Sequence, residues 1–162
     1  MASEFDPLIR ALEALRSDPR IIKIALSSVL PNHKNRIFKE GFDSKGVQIG
    51  TYGTKKISIS KKNQARNTGR TYFKGGYAEY KSAIGKNPGF VNLRNTDQMM
   101  MDYGLLELGN STFGYGFQNE ANYKKSQWNE TKYQKKIFAL SKGETELLTQ
   151  VLTAEVKKVL GA

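Results

Sequence analysis

Only one histidine, His33, stands in this 162-residue chain, and there is no cysteine. Histidine is the usual acid–base and metal-ligand residue; cysteine is the thiol nucleophile, disulfide partner and zinc ligand. A solitary histidine two residues after Pro31 is expected on the surface or at a helix end, not as a ligand or base. Ser58 and Lys61 have the S-x-x-K spacing of an acyl-transfer pair, but a lysine-rich stretch produces that spacing by chance. Gly85-Lys86 comes closest to the phosphate-binding G-x-x-x-x-G-K-[ST] loop, yet Tyr80 stands where the first glycine must make its tight turn. No acidic cluster suits a two-metal site. With no constellation of His, Cys or carboxylates, the sequence is expected to belong to a non-enzymatic binding protein that needs no cofactor or metal.

Charge and aromatic residues carry more information. The formal net charge is +11, from 26 basic and 15 acidic residues. Between Lys34 and Arg94 there are 14 Lys and Arg against Glu40, Asp43 and Glu79, which gives 14 − 3 = +11. The remaining 12 basic and 12 acidic residues cancel. All the net charge therefore falls in one block, an electrostatic footprint for nucleic acid or for an acidic protein surface. Its expected contact residues are Lys55, Lys56, Lys61, Lys62, Arg66, Arg70 and Lys74, with Tyr72, Phe73, Tyr77 and Tyr80 as aromatic anchors.

These groups need elements to position them. Asp6-Pro7 and Asp18-Pro19 are helix-start signals. Leu8, Ile9, Leu12 and Leu15 follow the first at helical spacing, and Ile21, Ile22, Ala25, Leu26 and Val29 follow the second. Pro31 is expected to kink or interrupt the second helix, which ends at Gly41. Residues 42–90 form a basic Gly/Lys-rich extension, with a strand at Ile57 and Ile59 and a short helix or hairpin over residues 77–84. Within it residues 45–86 have few aliphatic anchors and are expected to be poorly ordered in the free protein and to gain order on assembly. Beyond it, Asn95 or Thr96 caps a short helix over residues 99–103. Of Met99, Met100 and Met101, one or two are expected in the core. Residues 105–108 and 113–117 read as a hairpin turning at Asn110-Ser111, the second strand alternating aromatic and glycine. Trp128, in a polar helix or ordered loop, is expected to pack. Residues 137–140 are a buried anchor. Ser141 and Glu144 form a capping box that opens a helix with the apolar face Leu147, Leu148, Val151, Leu152, Val156, Val159 and Leu160. The expected class is α+β: one domain over 1–162, with terminal amphipathic helices packed on a small antiparallel sheet and a long basic arm.

Taken in order, the second half resembles the tailed-phage virion-morphogenesis or tail-completion family of Mu-like phages. Residues 91–100, with Leu93, Arg94, Thr96 and Met99, are similar to its apolar-x-Leu-x-x-Thr-Gly-Arg-Met element, where a short helix precedes a strand. Asp97 stands at that element's glycine. Gly109-Asn110 and Tyr115-Gly116-Phe117 resemble its strand pair. Residues 136–141, with Phe138, resemble its Arg-x-Phe-Leu-Gly-Leu-Ser segment, which leads into a closing helix. Phe38, Gly41, Asp43 and Gly46 resemble an earlier turn. The resemblance spans about 100 residues with gaps.

The resemblance implies a structural virion protein that forms a ring at the head–tail junction or tail end. Its partners would be its own copies, as a hexamer or dodecamer, and other neck, portal and tail proteins, with genomic DNA as a further contact. It would reside in the virion, and in the host cytoplasm during assembly. No stretch approaches the ~20 apolar residues of a membrane span, and residues 1–10 lack the pattern of a signal peptide. The rival expectation is a single-stranded nucleic-acid or RNA-binding protein, in which bases stack on the interleaved aromatics.

Overall fold

The computed structural model describes residues 18–60, 70–109 and 112–160, together with Ile9 and Glu13. The remainder of the expected first helix, the turn at Asn110-Ser111, Gly161, Lys61, Lys62 and Arg66 lie outside the described residues. The class is α+β, as the sequence leads one to expect.

Helix α1 covers Pro19–Asn35. The Asp18 carboxylate accepts from the Arg20 amide at 3.0 Å, and Pro19 takes the first turn, where no amide hydrogen is needed. Ile21, Ala25, Leu26 and Val29 form its buried face. Of the kink or interruption expected at Pro31, the interruption does not occur: the helix continues through it. Pro31 leaves the Ser27 carbonyl without an intrahelical donor. Beyond it, the buried His33 and Arg36 hold the last turns in place through tertiary bonds.

The helix then widens into a π segment, Arg36–Glu40, which turns Arg36, Ile37 and Phe38 inward together. Gly41 ends it in the left-handed region (φ 72°). A side chain there would run into the Val91 carbonyl.

The basic region leaves the core later than its composition suggests. Asp43 is buried and accepts from the Lys45 and Val47 amides at 2.9 and 2.8 Å. That turn brings Ile49 back into the core, with its amide on the Gly41 carbonyl at 2.7 Å. The Val91 amide bonds the Gly50 carbonyl at 2.8 Å, so the chain leaves and re-enters at one place. Between them lie the antiparallel strands β1 (Ile57–Ser60) and β2 (Arg70–Phe73), then helix α2 (Gly76–Ala83).

Helix α3 (Gln98–Asp102) leads into β3 (Tyr103–Gly109), which pairs antiparallel with β4 (Thr112–Phe117). Asn95 and Thr96 do not cap α3; Asp97 precedes it with φ 60°, and its carboxylate faces Lys86 and Arg94 instead of the helix amides. Tyr103 and Phe117 pair across the hairpin and enter the core with Ile37, Phe38, Ile49, Val91, Met99 and Ile137. Met100 packs against this core, while Met101 is exposed.

Helix α4 (Glu120–Tyr133) starts at Asn119, whose side chain accepts from the Ala121 and Asn122 amides. Helix α5 (Lys142–Leu160) packs on α1, which in turn lies against the β3–β4 hairpin. Its face of Leu147, Leu148, Val151, Leu152 and Val156 is half-buried.

The capping box forms in both directions: the Ser141 amide donates to Glu144 at 2.7 Å, and the Glu144 amide to the Ser141 hydroxyl at 3.3 Å. The Glu144 carboxylate does more. It takes His33 Nδ1 at 2.9 Å and Arg36 Nε at 2.8 Å, all three side chains being buried. His33 therefore stands at a helix end, one of the two places expected for it, but in the interior and not on the surface. An ionised carboxylate only accepts, so Nδ1 carries the proton; Nε2 meets the Tyr103 hydroxyl at 2.8 Å.

Burial pushes the Glu144 carboxyl up, but the bonds from His33, Arg36 and the Ser141 amide outweigh it and hold the group at about 2. A depressed carboxyl stabilises the fold above its unfolded value of 4.5 and ceases to do so as the pH falls through about 2. Stability should therefore decline between those two values. Glu144→Gln keeps the shape but strands the Arg36 charge, and should cost about 3–5 kcal/mol in urea unfolding and flatten that acid limb. An unchanged midpoint would show that the charge is dispensable.

Candidate functional site

The β1–β2 hairpin and α2 sort the expected contact residues onto two faces. Ile57 pairs with Phe73, Ser58 with Tyr72, and Ile59 with Thr71. Strand alternation then turns Ile57, Ile59, Thr71 and Phe73 half-inward, and Ser58, Ser60, Arg70 and Tyr72 outward. On the outer face the Lys56 ammonium sits 5.2 Å from the Tyr72 ring. Lys55, Lys56, Arg70 and Lys74 are all exposed.

Three of the four expected anchors turn inward instead. Phe73 meets Tyr80 at 5.4 Å between ring centroids, Tyr80 meets Tyr77 at 5.3 Å, and Tyr77 meets Tyr52 at 5.3 Å. These rings tie the hairpin, α2 and the outgoing chain into one aromatic line; Tyr72 alone is left on the surface. Gly76 (φ 73°) allows the close approach, since a side chain there would collide with the Gly53 and Lys55 carbonyls.

That line ends in a cleft of about 630 Å³ between the extension and α4. Tyr52, Tyr77, Trp128 and Tyr133 supply aromatic surface, and Lys81 and Lys132 supply charge. Trp128 does not pack as expected: it is 60% exposed on α4. The Lys132 ammonium lies 4.7 Å from the Trp128 ring and 5.2 Å from the Tyr133 ring. Both pairs are attractive through the ring quadrupole.

Lys81 is the group that composition misjudges most. It is 1% exposed, its ammonium donating to the Arg94 carbonyl and lying 5.1 Å from the Tyr52 ring. No carboxylate among the described residues pairs with it. Burial, then the nearby Lys86 charge, lowers it to about 8. Burial also raises the Tyr52 phenol to about 12. A large aromatic-walled cleft holding a perturbed lysine is the site that physical chemistry singles out.

The family-like residues serve the frame. Leu93 (φ 54°) lines the cleft and packs on the core. Arg94 Nε bonds Asp97 at 2.7 Å, which with Lys86 at 2.7 Å holds the Asp97 carboxyl far below its usual range. Thr96 is exposed and Met99 is buried. Phe138 joins Tyr103 and Phe117 in an aromatic cluster.

Sequence reasoning missed Tyr52, Lys81, Lys132 and Tyr133. A usable signal was present for part of this: Trp128 and Lys132, four apart on a polar helix, share a face with nothing apolar to bury them. Comparison with known proteins returned no match, whether to a family model, a curated protein or a solved structure.

A lysine whose folded value lies below its unfolded value gains the fold stability as the pH rises between the two, here from about 8 towards 10.5. Carbon-detected NMR of the lysine side chains should show one amine, Lys81, titrating near 8, and Lys81→Met should remove that signal. Titration of Lys81 with the bulk of the lysines would show that water reaches it.

Proposed function

We propose that this chain is a non-enzymatic structural protein of a tailed-phage virion, forming a ring at the head–tail junction or tail end that joins the portal or capsid side to the tail. The observation that carries this reading is the backbone at Asp97. The resemblance puts a glycine at that position, and the chain there adopts φ 60°, a conformation that favours glycine and that few other residues take. The surrounding order agrees. A short helix precedes a strand, a hairpin follows, and residues 137–140 lead through a capping box into a closing helix.

Ring assembly uses surfaces, not an active site. The exposed basic face of the β1–β2 hairpin and the aromatic cleft are two such surfaces on one subunit, available to copies of the chain, to neck, portal and tail proteins, or to packaged DNA. Among the described residues no helix is long and apolar enough to cross a membrane.

The second reading, a single-stranded nucleic-acid binder, is favoured by one observation: Tyr72 is 61% exposed with Lys56 beside it and Arg70 on the same face.

Native mass spectrometry of the purified chain over a range of concentrations, with and without an oligonucleotide, separates the two. Closed assemblies of six or twelve copies are expected. A chain that stays monomeric throughout overturns the ring. Monomers that bind the oligonucleotide with a steep salt dependence transfer the case to the second reading.

A further inference from the structure

The cleft beside α4 asks for an occupant of specific chemistry. Its walls are four aromatic rings, and its cations are lysines. Lys132 is exposed at the side; Lys81 is buried, with one carbonyl and two rings for company. Asp97 is already committed to Arg94 and Lys86. The cleft is thus suited to an anion carried beside a flat apolar group.

Two features favour carboxylate over phosphate. Phosphate sites draw on free backbone amides at helix starts and on forked arginines. Here the Tyr77 and Ala78 amides in the first turn of α2 both donate to the Gly53 carbonyl, at 2.8 and 3.4 Å. Arg94 is not among the cleft's lining residues, and its guanidinium is bonded to Asp97. Isolated lysines suit single carboxylates. Asn129, buried at the cleft, donates to the Lys125 carbonyl at 2.7 Å, which leaves its Oδ1 to accept from a peptide amide. An acidic peptide with an aromatic residue meets every one of these demands.

The chain itself carries one such peptide. Phe5, between Glu4 and Asp6, is the only aromatic residue in the sequence with an acid on both sides. We propose that Glu4-Phe5-Asp6 of a second copy docks in this cleft, with Phe5 against Trp128 and Tyr133 and the carboxylates towards Lys132 and Lys81. The docking rests on the ring reading and specifies its contact. A segment of one subunit seated in a different surface of the next is a heterologous contact, which builds a ring where its rotation closes and an open filament where it does not. Aromatic anchors in desolvated pockets, flanked by charge, dominate contacts of this kind.

The full chain with Phe5→p-benzoylphenylalanine, mixed as light and isotope-labelled copies and irradiated, tests this directly. Cross-links are expected from position 5 of one copy to Trp128- or Tyr133-containing peptides of the other. Phe5→Ala and Lys132→Glu should each weaken self-association by about tenfold or more. Glu4→Lys with Asp6→Lys should recover part of the Lys132→Glu loss. Lys132 and Trp128 are exposed, so circular dichroism should report an unchanged fold in Lys132→Glu and Trp128→Ala. Rings that form with cross-links elsewhere, or only within one copy, overturn this docking and leave the ring reading standing. So does a Phe5→Ala chain that assembles like the unaltered one. A chain monomeric at every concentration removes the ring reading and this docking together.

Discussion

The carboxylate of Glu144 is the point on which the fold turns. It is the N3 acid of a helix cap and, at the same time, the counter-charge for the buried Arg36 and the acceptor for the buried His33. Arg36 uses all five of its N–H groups: two on Glu144 and one each on the carbonyls of Phe42, Ile137 and Ala139. One guanidinium thereby joins the end of α1, the turn after the π segment, the 137–139 segment and the start of α5. A buried ion pair is not by itself a large source of stability, because desolvation offsets much of the attraction. What it gives is geometry. A planar fork with five satisfied donors admits one arrangement of the elements around it. The π segment belongs to the same constraint, since it brings Arg36 to this point while still burying Ile37 and Phe38.

The cleft follows from that frame. The buried Ile49 and the bond between Gly50 and Val91 set where the extension leaves and returns. Tyr133, at the end of α4, lies against Gly50, where a side chain would meet its ring. After α4 the chain turns at Gln134 and runs through residue 135 to Ile137 and thence to the Glu144 cluster; the Glu130 carboxylate accepts the Ile137 amide at 2.7 Å. Both walls of the cleft are therefore tied to the same core, the extension through Ile49 and the bond between Gly50 and Val91, and α4 through the bond between Glu130 and Ile137.

Local chemistry was legible in the sequence where it acts over a few residues. The Asp18-Pro19 start, the Ser141–Glu144 box, the β3–β4 alternation and the glycine stop at 41 are all satisfied by neighbours, and each sits where its spacing puts it. The departures come from partners distant in sequence. His33 lies at the helix end that its position after Pro31 suggests, but nothing near it in sequence explains its burial; its partners lie 70 and 111 residues away. Pro31 reads as a breaker until the bonds beyond it are known. Trp128 reads as core because tryptophan usually is, but a polar helix with no apolar face beside it leaves the indole exposed. The anchors Phe73, Tyr77 and Tyr80 were recognised as a group, but the inward turn of Phe73 depends on strand register and that of Tyr77 and Tyr80 on where α2 packs, neither of which the local sequence states.

Charge makes the same point in its sharpest form. A block of net +11 invites the image of a uniformly basic arm, yet its members do different work. Arg36 is neutralised inside the molecule by Glu144. Lys34 reaches the Tyr103 carbonyl at 2.9 Å, and Lys86 and Arg94 share Asp97. Lys55, Lys56, Arg70 and Lys74 stay in water, where each is screened within about 10 Å at moderate salt and contributes little singly. Lys81 belongs to neither group: it is buried without a paired carboxylate among the described residues and cushioned by tyrosine rings. A charge removed from water gains most from a partner when that partner also excludes water. The charge with most to gain from a partner is thus the one of which the sequence shows least sign, a lysine lining an aromatic cleft, while the conspicuous lysines beside the hairpin stay solvated.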